Sequence, residues 1–139
     1  ELPADPPCLV DDPAAIVEAL RAAVVTAGLP ADVVQLVQRL RANDLFMRIV
    51  ELDPELILPY LFSRRGRAQE AVLARIAATI RQGQRVGAFR PGDAGILART
   101  ILLAAQGFVL SAQTMVDDDV SLPQLDTELG HLVERVLAP

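Results

Sequence analysis

The chain has 139 residues, a formal net charge of −5, 52% hydrophobic residues, 22% charged residues and only 4% aromatic residues. This length fits one domain, and the hydrophobic content excludes a disordered tail. The acidic balance argues against a polyanionic partner for the chain as a whole, and a core built from aliphatic residues and alanine favours an all-α fold over a β-sandwich.

The first 27 residues predict a lead-in segment followed by a helix. Residues 1–12 contain three prolines and no hydrophobic period, so we interpret them as a linker. Asp12 fits an N-cap, Pro13 fits the first helical position and Gly28 fits a C-terminal stop. We therefore expect a helix over Pro13–Ala27.

The N-terminal sequence also bears on the origin of the chain. It does not begin with Met, and we expect it to be a fragment of a longer protein. Its first seven residues are acidic and proline-rich, unlike a secretory signal peptide. Cys8 is the only cysteine in the sequence, which excludes an intramolecular disulfide and suits a reducing cytosol. The predicted location is cytoplasmic.

Two further helices are predicted before residue 53. Apolar residues at positions 33, 34, 36, 37 and 40 recur at helical spacing and predict a helix that ends near Arg41. The run Leu45–Leu52 is apolar on too many sides to distinguish helix from strand by period alone. We interpret it as a short buried helix.

Prolines shape the next segment. Pro54 fits the first turn of a new helix, but Pro59 follows too early for one regular helix to continue through it. A break is therefore expected near Leu58. From about Arg67 the apolar positions mark one face of an amphipathic helix that continues to the region of Ile80.

The stretch that follows, "IRQGQRVGAFRPGD", predicts a tight corner between two helices. Gly87 fits the left-handed residue that ends a helix, and Phe89 can fold back on the last turn. Pro91 prevents continuation and Asp93 fits the N-cap of the next helix. Gly83 lies inside the last turn, where either close approach of a neighbour or tolerated fraying would explain it.

The segment Ile96–Val116 predicts a helix that is apolar nearly all round. Its polar side chains, Arg99, Gln106 and Gln113, fall seven residues apart on a narrow stripe. One core layer of a small domain covers only one side, so another apolar side requires cover. A membrane span is the competing interpretation, but the Arg, the two Gln and the absence of a second span or basic flank argue against it.

The last segment predicts an amphipathic helix with a seam of apolar residues at alternating spacings of three and four. This seam either packs within its own subunit or joins the preceding helix in an intermolecular four-helix bundle, and we favour a homodimer. Small residues of the preceding helix would permit close crossing. The predicted interface residues are Ala104, Gly107, Ala112, Leu122, Leu125, Leu129, Leu132 and Val136.

No residue pattern indicates catalysis, a cofactor or a metal. His131 has only Glu128 and Glu134 near it, and Asp117–Asp119 lack the spaced ligands of a calcium loop. There is no nucleophile elbow and no phosphate loop. The arginines between residues 64 and 90 are interpreted as a solvated surface. The sequence therefore predicts a protein that is not an enzyme.

The order of these features resembles the C-terminal regulatory domain of TetR-family transcriptional repressors. The resemblance rests on "RIAATIRQGQRVGAFRPGD", on the following apolar helix with its central "QGF", on the closing amphipathic helix, and on "ANDLFMRIVELDPEL" upstream. It covers residues 13–138 and implies an effector-binding and dimerisation domain. The family's N-terminal helix-turn-helix has no counterpart in residues 1–12, so binding to operator DNA would depend on a domain absent from this chain.

The resemblance also implies a cavity for an effector between the helices, and the residue types available suit a small, mostly apolar molecule. Each candidate ligand residue is equally explained as an ordinary residue of the hydrophobic core. A helical homodimeric adaptor with a filled core and no ligand is the alternative function, whereas a lyase or hydrolase lacks a converging acid or base. The candidate ligand residues are Phe46, Met47, Val50, Tyr60, Phe62, Leu73, Ile76, Ile80, Leu103, Gln106, Phe108 and Ser111.

Overall fold

The computed structural model describes residues 28–139, and every regular element in this range is helical. The predicted linker over residues 1–12 and the predicted helix over residues 13–27 lie outside the described residues. The all-α prediction is confirmed. The helices are α1 Leu29–Ala42, α2 Asp44–Leu52, α3 Leu58–Phe62, α4 Arg67–Arg85, α5 Ala94–Ser111 and α6 Leu122–Leu137, with 3-10 turns at Pro54–Leu56 and Ala112–Met115.

Helix α5 lies at the centre of the packing, against α4, α1 and α6, and α1 also packs along α6. The most deeply buried side chains come from four different helices. They are aliphatic, as the composition predicts, and burial of each stabilises the fold by roughly 1.5–3 kcal/mol. The largest fully buried side chains are Val33, Val37, Ile80, Ile101, Leu129, Val133 and Leu137.

The short central helices begin where local capping signals place them. The side chain of Asn43 accepts a hydrogen bond from the Phe46 amide at 2.9 Å and so caps α2. Pro54 and Pro59 each lie in the first turn of a short helical element, where the missing amide hydrogen costs nothing. The predicted break is confirmed, because α3 begins at Leu58.

The corner between α4 and α5 has the predicted geometry. Gly87 adopts a positive φ of 76°, and the amides of Gly87 and Ala88 donate to the carbonyls of Gln84 and Gly83 at 3.2 and 2.8 Å. This is the double hydrogen bond of a Schellman C-cap. A Cβ atom on Gly83 would overlap the Phe89 ring, so close approach of a neighbour explains this glycine. Asp93 then caps α5 by accepting from the Ile96 amide at 3.0 Å.

Arg90, at the end of this corner, holds the C-terminus of α6. Its backbone amide donates to the Leu137 carbonyl at 2.9 Å, and its side-chain Nε donates to the Val136 carbonyl at 2.8 Å. Carbonyls in the last turn of a helix have no partner within the helix. Arg90 satisfies two of them and fixes α6 to the α4–α5 corner.

A buried ion pair joins α1 to α6. Arg41 Nη2 donates to Asp126 Oδ2 at 2.5 Å, and Gln38 Nε2 donates to the same oxygen at 3.2 Å. The two charged side chains are 8% and 6% exposed. Arg41 Nη1 and Asp126 Oδ1 have no hydrogen-bond partner among the described residues, so the pair is desolvated but incompletely satisfied.

Helix α1 carries a second buried carboxylate, Asp32. It is only 4% exposed, and neither its Oδ1 atom nor Arg75 Nε has a hydrogen-bond partner within residues 28–139. Burial raises the pKa of Asp32 above its ordinary value of 3.8, and the Arg75 guanidinium opposes this effect.

Candidate functional site: a cavity between α1, α4 and α5

A cavity of about 80 Å³, partly open to solvent, lies between α1, α4 and α5 and is closed on one side by α2, α3 and the turn before α3. One enclosed water requires about 10–15 Å³ of such space, so the cavity has room for a small organic molecule. The lining residues are Leu36, Val37, Leu40, Phe46, Ile57, Tyr60, Leu61, Ala68, Gln69, Val72, Leu102, Ala105, Gln106, Val109 and Leu110.

The lining is aliphatic and aromatic apart from two amide side chains and the tyrosine, and it contains no charged residue. Apolar walls with a few fixed polar groups are typical of small-molecule sites. The Arg64 guanidinium lies 5.1 Å from the centroid of the Tyr60 ring, a cation–π contact, but Arg64 does not line the cavity. The chemistry available is therefore binding and orientation of a neutral molecule, since the walls contain no carboxylate, histidine, lysine, cysteine or serine.

Gln69 is the main polar junction of the cavity wall. It occupies the third position of α4, where its Oε1 atom accepts from the Gly66 amide at 2.8 Å and caps the helix. Its Nε2 atom donates to the Tyr60 carbonyl at 3.2 Å and to Gln106 Oε1 at 2.7 Å. One side chain thus connects α3, α4 and α5 at the cavity surface.

Three predicted ligand residues line this cavity, namely Phe46, Tyr60 and Gln106. Met47, Val50 and Phe108 are half-buried and pack against the core, whereas Leu73, Ile76 and Ile80 are buried within it. None of these six lines the cavity, so their role as ligand contacts stays a prediction.

The predicted positions of Phe62, Leu103 and Ser111 in the cavity wall need correction. Phe62 is 80% exposed at the end of α3, and Leu103 is 69% exposed on the outer side of α5. Ser111, at the end of α5, is also exposed. Helix α5 is apolar on most of its faces, so its hydrophobic pattern alone does not identify the face that turns inward.

Sequence reasoning missed Gln69 and the contribution of α1. A glutamine three residues after an N-cap is a capping signal, but the N-cap here is Gly66, which lacks the hydroxyl that usually marks the motif. Leu36, Val37 and Leu40 of α1 line the cavity because α1 packs against α5, a contact between distant parts of the sequence that no local pattern indicates.

The predicted dimer residues fall into three groups. Leu129 and Ala112 are buried in the chain's own core. Ala104, Leu122, Leu125 and Val136 are half-buried, and Gly107 and Leu132 are exposed. Leu129 therefore packs within the subunit rather than on an outer surface. On the outside of α5 and α6 the large exposed side chains are Ile96, Leu103 and Leu132, at 62%, 69% and 43% exposure.

Two other surfaces are less suited to an apolar ligand. A groove of about 340 Å³ between α1 and α6 is wide open, and its floor includes Asp126, which already binds Arg41. His131 Nδ1 lies 3.1 Å from Glu128 Oε1 on the exposed side of α6. Within the part of the chain that the structure describes, no three His, Cys, Asp or Glu side chains come together as a metal site.

One helical segment of the described residues, Ala94–Met115, is long and apolar enough to cross a membrane, with a mean hydropathy of 1.6. The central helix of a soluble protein has the same property. Here the segment packs Ala98, Ile101 and Ala105 into the core and leaves Leu103 on the outside.

Comparison with known proteins finds similarity to bacterial regulators. The chain is 36% identical over 110 residues to proteins named as uncharacterized HTH-type transcriptional regulators from two strains of Mycobacterium tuberculosis and from Mycobacterium bovis. The match covers 79% of this chain and 57% of each relative, so the chain spans little more than half their length. No family model and no solved structure matches the chain. The relatives are named as regulators and not as enzymes, in agreement with the prediction of a non-enzymatic protein.

Proposed function

We propose that the chain is the effector-sensing and dimerisation region of a TetR-like transcriptional repressor in the bacterial cytoplasm. The observation that supports this proposal most is the uncharged, mostly apolar cavity between α1, α4 and α5, in a chain whose relatives are named as HTH-type transcriptional regulators. A small apolar effector occupies the cavity, and its binding changes DNA binding by a helix-turn-helix outside this chain.

A compound screen tests the effector role. A ligand that binds only the folded state raises the melting temperature by mass action, so a library of small apolar molecules is expected to give saturable thermal shifts with the 139-residue chain. Ala105→Leu, which places a larger side chain in the cavity wall, serves as the control and is expected to abolish them. A diverse library without one saturable shift would favour the adaptor alternative.

Operator binding is assigned to the part of the regulator that this chain does not include. Base-specific readout requires an element inserted in a groove, and a formal net charge of −5 disfavours a polyanionic partner for the chain as a whole. In a gel shift at controlled salt, residues 1–139 are expected to show no sequence-selective binding. Selective binding by this chain alone would overturn the assignment.

We assign the dimer contact to the outer sides of α5 and α6. Ile96, Leu103 and Leu132 leave large apolar side chains in water. Apart from its chain neighbours and the backbone of its own helix, a Cβ atom added at Gly107 would meet nothing within 4 Å, so this position leaves room for close approach of a partner helix. An isologous interface would bury the same residues on both subunits.

Sedimentation of surface variants tests this assignment. Leu103→Glu is expected to give monomer, because a charge would lie unpaired in the desolvated interface. Ala78→Glu, on the exposed side of α4, is the matched control and should remain dimeric. Leu129 is unsuitable for this test, since a charge in the chain's own core would unfold the subunit itself. A stable monomer of the unmodified chain at micromolar concentration would defeat the dimer proposal.

A further inference from the structure

The orientation of the Gln69 amide is determined by its two backbone partners. A backbone N–H can only donate and a carbonyl can only accept, so the group facing the Gly66 amide must be oxygen and the group facing the Tyr60 carbonyl must be nitrogen. Exchanging the two ends would create a clash at both contacts. The nitrogen of Gln69 therefore also faces Gln106.

This orientation determines that of Gln106 in turn. Because Gln69 presents a donor, Gln106 must present its Oε1 atom, and the two atoms lie 2.7 Å apart. Among the described residues this is the one side-chain hydrogen bond of Gln106. Its Nε2 amino group, with two donor hydrogens, has no hydrogen bond within residues 28–139, and the half-buried Gln106 side chain lines the cavity.

We infer that the cavity selects a neutral apolar molecule that carries a hydrogen-bond acceptor, such as a ketone, ester or amide carbonyl, and that Gln106 Nε2 donates to it. This inference rests on the proposed effector role of the cavity. A carbonyl buried in an apolar cavity loses its bonds to water, and a donor in the wall compensates for that loss. A carboxylate is disfavoured because no cationic side chain lines the cavity.

A matched pair of compounds isolates the acceptor. Propiophenone and propylbenzene share one carbon skeleton and differ only in the carbonyl, and 3-phenylpropanoate supplies an anionic analogue. Dissociation constants are measured with the 139-residue chain by isothermal titration. Gln106→Met is expected to weaken propiophenone binding about tenfold and to leave propylbenzene within about twofold, as for the loss of one hydrogen bond.

Two further variants make the test specific. Gln106→Glu is nearly isosteric and keeps an acceptor for Gln69 but removes the donor, so it should also weaken propiophenone more than propylbenzene. Gln113→Met is the matched control, since Gln113 is an exposed glutamine seven residues further on. It should change neither affinity. Circular dichroism verifies that each variant keeps its helical content.

The possible failures are distinguishable. If both compounds bind and Gln106→Met affects them equally, the acceptor inference is overturned while the ligand cavity stands. Tighter binding of 3-phenylpropanoate than of propiophenone would overturn the preference for a neutral ligand. If none of the three compounds binds saturably while the library of small apolar molecules gives saturable thermal shifts, the acceptor inference is overturned and the effector role stands. If the library gives none either, the effector role of the cavity fails, and the inference with it.

Discussion

The two sides of helix α1 meet their neighbours in opposite ways. Toward α6, Gln38 and Arg41 contact the buried Asp126 through directed hydrogen bonds, one of them between full charges. Toward α4 and α5, Leu36, Val37 and Leu40 face a cavity without any charge. A desolvated ion pair tolerates little displacement, whereas aliphatic contacts adapt to several arrangements. Helix α1 thus has one side whose polar contacts fix its position against α6 and another side that borders a cavity able to hold a small molecule.

The largest expected effect concerns the α6 side. Asp126→Ala leaves the Arg41 guanidinium buried without its partner, and we expect the free energy of unfolding to fall by about 3–5 kcal/mol. The double variant Arg41→Met, Asp126→Leu removes both charges and should be much less destabilised than the single variant. Urea unfolding of the three proteins measures both differences. A loss below about 1 kcal/mol for Asp126→Ala would show that Arg41 finds water instead.

The next test compares two alanines of α5, one packed in the core and one lining the cavity. Ala98 and Ala105 are both buried, about two helical turns apart, but only Ala105 lines the cavity. Ala98→Leu is expected to lower the unfolding free energy by about 1–3 kcal/mol through overpacking, whereas Ala105→Leu should change it by less than about 1 kcal/mol. Equal losses by chemical denaturation would mean that the cavity side is packed as rigidly as the rest.

A smaller, stabilising effect is expected on the α6 side at Gly130. A Cβ atom there would lie 3.5 Å from Val34 Cγ2, which is ordinary contact, so Gly130→Ala should raise the unfolding free energy by about 0.5–1 kcal/mol through helix propensity. Gly83→Ala is the matched contrast in α4 and should be destabilising, because its Cβ would overlap the Phe89 ring. Thermal unfolding of both variants measures the opposite signs.

The smallest expected effect depends on pH and concerns Asp32. Since its folded-state pKa is raised, the folded chain keeps a proton that the unfolded chain releases at pH 3.8, and stability falls as pH rises through the window above 3.8. Asp32→Asn does not titrate, so its unfolding free energy relative to the native sequence should increase across that window. A pH-independent difference in urea titrations would contradict the raised pKa.

Local signals explain most of what the sequence predicted correctly. Caps and breakers act over a few residues, so Pro59, Gly87 and Asp93 are enough to predict the break before α3 and the α4–α5 corner. These residues have physical requirements that hardly depend on distant packing.

The sequence predicts less well which face of each helix is buried, because contacts between distant parts of the chain determine that face. The predicted apolar seam of α6 does not include Asp126. Arg41 of α1 makes burial of this carboxylate possible, and the buried residues of α6 are Asp126, Leu129, Val133 and Leu137. The same limit applies to the cavity. Phe46, Tyr60 and Gln106 were identified among many apolar residues, while the contribution of α1 depends on how α1 crosses α5.

The backbone hydrogen bond from Arg90 to the end of α6 allows one amide to report on the docking of the whole helix. The Arg90 N–H lies in a loop, where exchange with solvent deuterium would ordinarily be fast, yet it donates to the distant Leu137 carbonyl. Its exchange requires the last turn of α6 to separate from the corner, so its protection factor measures the free energy of that opening. Undocking of the C-terminal helix can therefore be followed at a single backbone position, independently of global unfolding.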